Sequence, residues 1–441
     1  MYALREKDQE LAWHDYALRG LPLLLDTEQL LRKLGEHMDT SALRDFRLTY
    51  IRYKPGMNFL GRYEYRLDGE THWAYGKAFA ADAALKLAKS AEVPHIKGPL
   101  GPGRLQLPES DLFMSFFPND LGLRSITRLA DPADRDSLLR RIFHGSDAWD
   151  GSRQTILNYK PERRLVLRLV NSSQQAATVK FYTGREFSRI SHQRRPQSGH
   201  QALPLLKRIG DSRKHRAFAF DWIEGETLRA RSRNSVDATA CFRATGLLIA
   251  RYHASSVKGL LPEEMSSQLQ VLESMAEQLA YLLPGSGDAA LDLAAGLRSI
   301  AATKSVELCP VHGDFYDKQI IVGPGGLSLI DLDRAHLGTA NEDLGCFLAH
   351  QELLAIRTQA KDRERISSQS AAFLDGYQEA GGHIDKQQLA GWTALFLFRL
   401  SHNPFRDRSL DWPRQTVQVL RRASELLRAS REQANLTARI R

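Results

Sequence analysis

Two stretches of the chain about a hundred residues apart read alike, and this likeness limits the fold more than any other feature. "YIRYKPGMNFLGRYEYRLDGETHWAYGKAF", from residue 50, and "ILNYKPERRLVLRLVNSSQQAATVKFY", from residue 156, share one plan. Each runs Tyr-Lys-Pro, an alternating segment, a polar turn, and a second segment carrying a lysine, Lys77 or Lys180. Leu165, Leu167 and Leu169 repeat at period two, the mark of a strand with one buried face. Downstream, "DLFMSFFPNDLGLRS" and "HRAFAFDWIEGETLRA" also correspond: Lys77 precedes Phe117 by 40 residues, and Lys180 precedes Asp221 by 41. The spacing predicts a small sheet domain twice, in 1–145 and in 146–228.

Beyond residue 228 the pattern turns helical. "SVDATACFRATGLLIARYHASS" has Ser235 as its expected N-cap and apolar residues spaced by three and four. "SSQLQVLESMAEQLAYLL", "DAALDLAAGLRSIAA", "EDLGCFLAHQELLAIRTQA", "SSQSAAFLDGYQEAGG" and "QLAGWTALFLFRLS" read the same way. Sheet, sheet, then a helical region over 229–441 broken by one hairpin is an α+β organisation.

Composition narrows the setting. Apolar residues make up 42% of 441, enough for extended cores. The first residues carry charges where a secretory signal needs an apolar run, and no stretch is apolar for long enough to span a membrane. The cysteines, Cys241, Cys309 and Cys346, are scattered and form no Cys-x-x-Cys pair, so a reducing cytoplasm is expected. Net charge is +9 with a pI near 9.4. Much of the excess lies in 385–441, with eleven Lys/Arg against five Asp/Glu, on what reads as one solvated helix face. No helix-turn-helix, zinc-finger or RNA-binding pattern accompanies it, so nucleic acid is not an expected partner.

The chemistry concentrates in "VHGDFYDKQIIVGPGGLSLIDLDRA", residues 311 to 335. "QIIV-GPGG-LSLID" reads as two short strands about a glycine-proline turn. Gln319 and Asp331 each stand six residues from Gly325, so an antiparallel hairpin is expected to set them side by side, with Asp314 on the loop before. An amide oxygen and two carboxylates form a hard-oxygen set suited to Mg²⁺. An acid left over can accept a proton from an attacking hydroxyl.

"HGDFYDKQ", followed by "IDLDRA" and "EDLG", resembles the catalytic segment of the aminoglycoside phosphotransferase and choline kinase superfamily, and "LLIARYHAS" resembles the helix that precedes it. The likeness covers about 155 to 430. It implies a protein-kinase-like two-lobe fold, with a small β-rich lobe at 146–228, a large helical lobe at 229–441 and an additional N-terminal α+β domain at 1–145. It also implies ATP and Mg²⁺. By that resemblance Asp314 is the catalytic base and His312 holds the loop. Gln319 and Asp331 ligate Mg²⁺, Asp333 is an accessory acid, and Asp343 braces the loop. Most members carry Asn where this chain has Gln319; maltokinase-like members share the HGD-x4-Gln form. Lys180 is implied to meet the α- and β-phosphates, and backbone groups of Asp221, Trp222 and Ile223 the adenine edge. The first strand pair has "KPERR" in place of a glycine-rich loop, which makes Arg163 and Arg164 candidate phosphate contacts. Lys180's expected partner is open between Glu186 and Gln201.

The N-terminal repeat has Lys77 but no HGD and reads as a non-catalytic cap or dimerisation domain, which admits a homodimer. The function implied is ATP-dependent transfer of phosphate to a hydroxyl of a small molecule, a sugar or an aminoglycoside-like compound. The alternative is a catalytically inactive kinase-like protein that binds nucleotide or a protein partner. Candidate acceptor contacts are Asp317, Lys318, Trp392, Arg399, His402 and Arg406.

Overall fold

The computed structural model describes residues 6–192, 203–234, 238–256, 259–263, 265–301, 307–358 and 360–440. The chain divides into two compact units. The first comprises Met1–Ser188, Lys207–Trp222 and Phe405–Leu410; the second comprises Arg189–Leu206, Ile223–Pro404 and Asp411–Arg441.

The first unit contains two antiparallel five-stranded sheets of one topology. The first sheet is formed by β1 (Arg44–Lys54), β2 (Asn58–Leu67), β3 (Glu70–Phe79), β4 (Arg104–Leu107) and β5 (Leu112–Phe116), in the order β1-β2-β3-β5-β4. The second is formed by β6 (Arg153–Lys160), β7 (Arg164–Val170), β8 (Ala176–Tyr182), β9 (Arg208–Ser212) and β10 (Ala217–Asp221), in the order β6-β7-β8-β10-β9. A nine-residue helix follows the third strand in both, Ala83–Ala91 and Gly184–His192. The period-two signal in β7 is realised residue by residue: Leu165, Leu167 and Leu169 are buried and their neighbours only partly so.

Residues before 145 complete the core of the second sheet. Leu138, Leu139 and Ile142 of the helix Pro132–Ile142 are buried in one cluster with Leu165, Leu167, Val179 and Ala219. The sheets are also tied through the β6–β7 turn. Glu162 there accepts from Lys77 Nζ at 2.5 Å and from Arg52 at 3.2 Å, and its N–H reaches Asp120 at 2.8 Å.

The second unit is mainly helical. Its helices are Leu228–Asn234, Ala238–His253, Met265–Leu282, Gly287–Ala301, Ala340–Arg357, Ala360–Glu379, Lys386–Leu400 and Trp412–Ile440. Ser235, the expected N-cap, lies outside the described residues. The helices Ala238–His253 and Ala360–Glu379 approach until backbones nearly touch. A Cβ on Gly246 would fall 2.0 Å from Phe373 O, and one on Gly376 2.0 Å from Arg243 O. Only glycine allows that crossing. Among these helices run β11 (Glu226–Thr227), β12 (Cys309–Val311), β13 (Ile320–Gly323), β14 (Gly326–Leu329) and β15 (His336–Gly338), pairing as β11-β13-β14 and β12-β15. The α+β organisation read from the sequence is thus the observed one. No described helix is long and apolar enough to cross a membrane.

Candidate active site

The acid-bearing segment is held by its own ladders. β12 pairs with β15, Val311 opposite His336, while β13 and β14 form the hairpin around Pro324 and Gly325. The register corrects one expectation. Gly323 faces Gly326 and Ile320 faces Leu329, so Gln319 stands opposite Ile330 rather than Asp331. The turn has two residues, not a single glycine at its apex, and that shifts every pairing by one. Asp331 follows the strand in the left-handed conformation, φ 63°, which ends the regular alternation. For a residue with a Cβ this conformation costs about 1–2 kcal/mol, a strain that collects at functional sites.

The loop 312–314 is anchored to the segment after the hairpin. His312 Nε2 lies 2.8 Å from Ile330 O, and the Ile330 N–H donates to Gln319 O at 3.0 Å. Gly313 has φ 75°, and a Cβ there would sit 2.4 Å from Arg334 O. Glycine is therefore required by both conformation and space.

Asp343, fully buried on the helix Ala340–Arg357, secures the loop from below. Its carboxylate accepts from the N–H of His312 at 2.6 Å and of Gly313 at 3.0 Å. His253 Nε2 is 3.1 Å away and His253 Nδ1 is 3.0 Å from Tyr377 Oη. Burial alone would raise the Asp343 pKa, but the His253 hydrogen bond, the fields of His253 and His312, and the His312 N–H hold it below the usual carboxylate range.

Asp314 is half-buried and, among the described residues, its carboxylate has neither a hydrogen bond nor an ion pair. The Gln319 side-chain amide, on a residue 6% exposed, likewise has no hydrogen-bond partner among them. Asp314 and Asp331 both act electrostatically on the Tyr316 hydroxyl, whose pKa burial and these acids push up. Asp333 is buried at 4% exposure on the short turn Leu332–Arg334. An amide and carboxylates are hard oxygen donors of the kind that fit a divalent cation such as Mg²⁺.

Two neighbours of Asp314 were not anticipated. Cys346 and His350, one turn apart on the helix Ala340–Arg357, place ligand atoms with that of Asp314 within 4.8 Å of one another. His350 stacks on Tyr316, ring centroids 4.0 Å apart, and burial pulls its pKa down to about 4. The signal available was the four-residue spacing after "EDLG". His253 as the partner of Asp343 was missed as well, because the two are ninety residues apart.

Of the acceptor candidates, Asp317 is fully buried and committed to Arg229 and Gln351. Trp392 is a core residue at 4% exposure. His402 is buried in the second unit, and Arg406, in the first, reaches Tyr50 Oη at 3.3 Å. Lys318 is exposed. Arg399 borders a cavity beside Gly313.

In the first unit, Lys180 is 5% exposed on the central strand β8, opposite Phe218 and 5.3 Å from the Phe220 ring centroid. Glu186 pairs with Arg163 at 2.9 Å, and Gln201 lies outside the described residues. Asp221 donates its own N–H to Lys207 O at 3.0 Å and accepts the Lys207 N–H at 2.7 Å, which occupies one of the expected adenine-facing groups. Arg168 covers the Trp222 ring at 4.4 Å.

Residues 147–394 match the phosphotransferase enzyme family, APH. The chain belongs to this family. Its fold class is the α+β one that the sequence predicted. Among solved structures, a choline/ethanolamine kinase family protein from Mesorhizobium loti is 14% identical, with 67% of this chain and 95% of that one covered and a TM-score of 0.44. A thermostable mutant of the aminoglycoside phosphotransferase APH(4)-Ia is 12% identical, with 67% and 98% covered and a TM-score of 0.47. A putative fructosamine-3-kinase from Thermobifida fusca YX-ER1 is 16% identical, with 66% and 98% covered and a TM-score of 0.42. No curated protein matches the chain.

Proposed function

We propose that this phosphotransferase moves the γ-phosphoryl group of ATP, with Mg²⁺, to a hydroxyl of a small molecule, a sugar or an aminoglycoside-like compound. The observation that carries the reading is the Asp314 carboxylate. It is half-buried, unpaired among the described residues, and mounted on a loop that Asp343 fixes through two backbone N–H groups. Such an acid is poised to take a proton rather than to hold the fold.

In this scheme the acceptor hydroxyl donates its proton to Asp314 as its oxygen attacks the γ-phosphorus. The bond from that phosphorus to the bridging oxygen breaks, and ADP leaves. Gln319 and Asp331, with Asp333 as the accessory acid, would hold Mg²⁺, which supplies charge neutralisation at the phosphates. His312 keeps the loop in shape through Ile330 O. Lys180 is the proposed contact to the α- and β-phosphates, and Trp222, Ile223 and the remaining groups of Asp221 the proposed adenine contacts. A soluble cytoplasmic setting and a homodimer formed through the N-terminal repeat remain part of the proposal.

The test is ADP release from Mg²⁺-ATP across a panel of sugars, aminoglycosides and amino alcohols, with Asp314→Asn beside the native chain. The substitution is expected to lower kcat by about 10²–10⁴-fold while ATP binding persists. Acceptor-dependent turnover that survives it would remove Asp314 from the role of base. A native chain that binds nucleotide and phosphorylates nothing would instead be the inactive kinase-like protein.

A further inference from the structure

Beside the Asp314 loop, within the second unit, lies a cavity of about 260 Å³ bordered by Gly313, Glu263, Arg334, His336, Phe396 and Arg399. Its charges do not balance. Glu342, which also borders it, is 3.1 Å from His336 Nε2 and takes the Thr339 N–H at 2.9 Å. Glu263 accepts the Gln268 amide at 3.0 Å and lies 4.0 Å from His336. Both acids are thus engaged on the His336 side.

Of the three arginines that border the cavity, Arg189, Arg334 and Arg399, the last two are not. Neither Arg334 nor Arg399 has a side-chain hydrogen bond or an ion pair among the described residues, and Arg399 lies over the face of Phe396 at 5.2 Å. Burial and the like charge of Arg334 pull the Arg399 pKa below its ordinary value, against the weaker pull of Glu263 and Asp314. Two neighbouring half-buried cations without an acid between them are unfavourable unless something anionic arrives. Arginine, with a planar fork of donors, is the side chain suited to phosphate and carboxylate.

We propose that this cavity binds an anionic group of the acceptor, so that the substrate is a hydroxylated small molecule bearing a phosphate or carboxylate, held by Arg334 and Arg399 beside Asp314. The inference rests on the reading of Asp314 as the base and narrows the substrate class. A polycationic aminoglycoside would set ammonium groups against the two guanidiniums, and is disfavoured. Anchoring through the anion leaves a hydroxyl of the same molecule to face Asp314. Its proton passes to that carboxylate as the phosphoryl group is transferred from ATP, with ADP as the leaving group.

The experiment compares acceptors of one ring type: glucose, glucose 6-phosphate, glucuronate and glucosamine, each with Mg²⁺-ATP. For the native chain, kcat/KM with an anionic member is expected to exceed that with glucose by about tenfold or more, with glucosamine lowest. Arg334→Gln and Arg399→Gln should each bring the anionic-to-neutral ratio towards one, and Arg399→Lys should retain part of it. Calorimetric titration with glucose 6-phosphate and with inorganic phosphate, without ATP, reads the cavity independently of chemistry. Binding that both Gln substitutions weaken, without turnover of any acceptor, upholds the cavity and rejects the phosphotransferase reading. Turnover with no anionic preference does the reverse. The proposal is overturned by absence of phosphate binding to the native chain, by preference for glucosamine, or by a ratio that survives both substitutions in proteins that melt normally.

Discussion

Replacing Asp343 with Asn tests whether the loop 312–314 is held by charge as well as by shape. The side chain is fully buried and receives three donors, the N–H groups of His312 and Gly313 at 2.6 and 3.0 Å and His253 Nε2 at 3.1 Å. An amide keeps one acceptor oxygen and turns a donor towards another donor. Hydrogen bonds to a charged acceptor contribute about 1.5–3 kcal/mol each, and breaking one partner of a buried pair costs about 3–5 kcal/mol. The contributions share atoms and do not add, so Asp343→Asn is expected to destabilise the second unit by about 3–5 kcal/mol. That corresponds to a fall in Tm of about 10 °C. Urea unfolding measures the loss, and amide exchange over 309–316 should show the His312 and Gly313 N–H groups losing protection. Since the anchored residues immediately precede Asp314, a displacement of about 1 Å should also cost about 10²-fold in kcat. The double substitution with His253→Gln should reveal a coupling of about 1.5–3 kcal/mol, because both changes break the same contact. The pKa of Asp343 is depressed on folding, so its contribution is present above the ordinary carboxylate range and is lost as pH falls through the folded value. The difference between native and Asn proteins should shrink in acid. A variant that loses less than about 1 kcal/mol, keeps its exchange protection and turns over normally would refute the bracing argument.

Gln319→Ala should raise the Mg²⁺ concentration needed for half-maximal turnover by at least about tenfold while leaving Tm unchanged, since its amide has no partner among the described residues to lose. An unaltered Mg²⁺ dependence would take Gln319 out of the ligand set. The His336–Glu342 contact predicts an alkaline transition. Burial lowers the His336 pKa, but Glu342, the Arg334 carbonyl and Glu263 outweigh it and raise the pKa to about 9. A folded pKa above the unfolded one stabilises fully below about 6.5 and loses that effect as pH rises through about 9, an amount on the order of 3 kcal/mol. Tm measured from pH 6 to pH 10 should therefore fall more steeply for the native chain than for His336→Gln. Parallel curves would contradict the ion pair.

Local pattern determined a large part of this protein. Period-two apolarity in β7 and the Tyr-Lys-Pro repeats announced two sheets, and the three-and-four spacing announced the helices, because these signals depend only on which side of an element faces the core. The candidate site around Asp314 stood out in the sequence because its oxygen donors crowd into one short segment, a density of acids that a buried core does not tolerate.

Tertiary structure decided what depends on contact between distant residues. The repeat gave no sign that the β6–β7 turn is docked on Lys77 through Glu162, because a carboxylate's choice of cation is made by proximity in space. Counting residues from Gly325 set Gln319 opposite the wrong residue, since one step of register turns on how many residues the turn takes. His253 reaching Asp343, Cys346 and His350 beside Asp314, and two arginines left without acids around one cavity all depend on how helices cross. Side-chain type says what a residue can do. Only packing sets how much water and which charges it meets, and those fix its pKa and its partners.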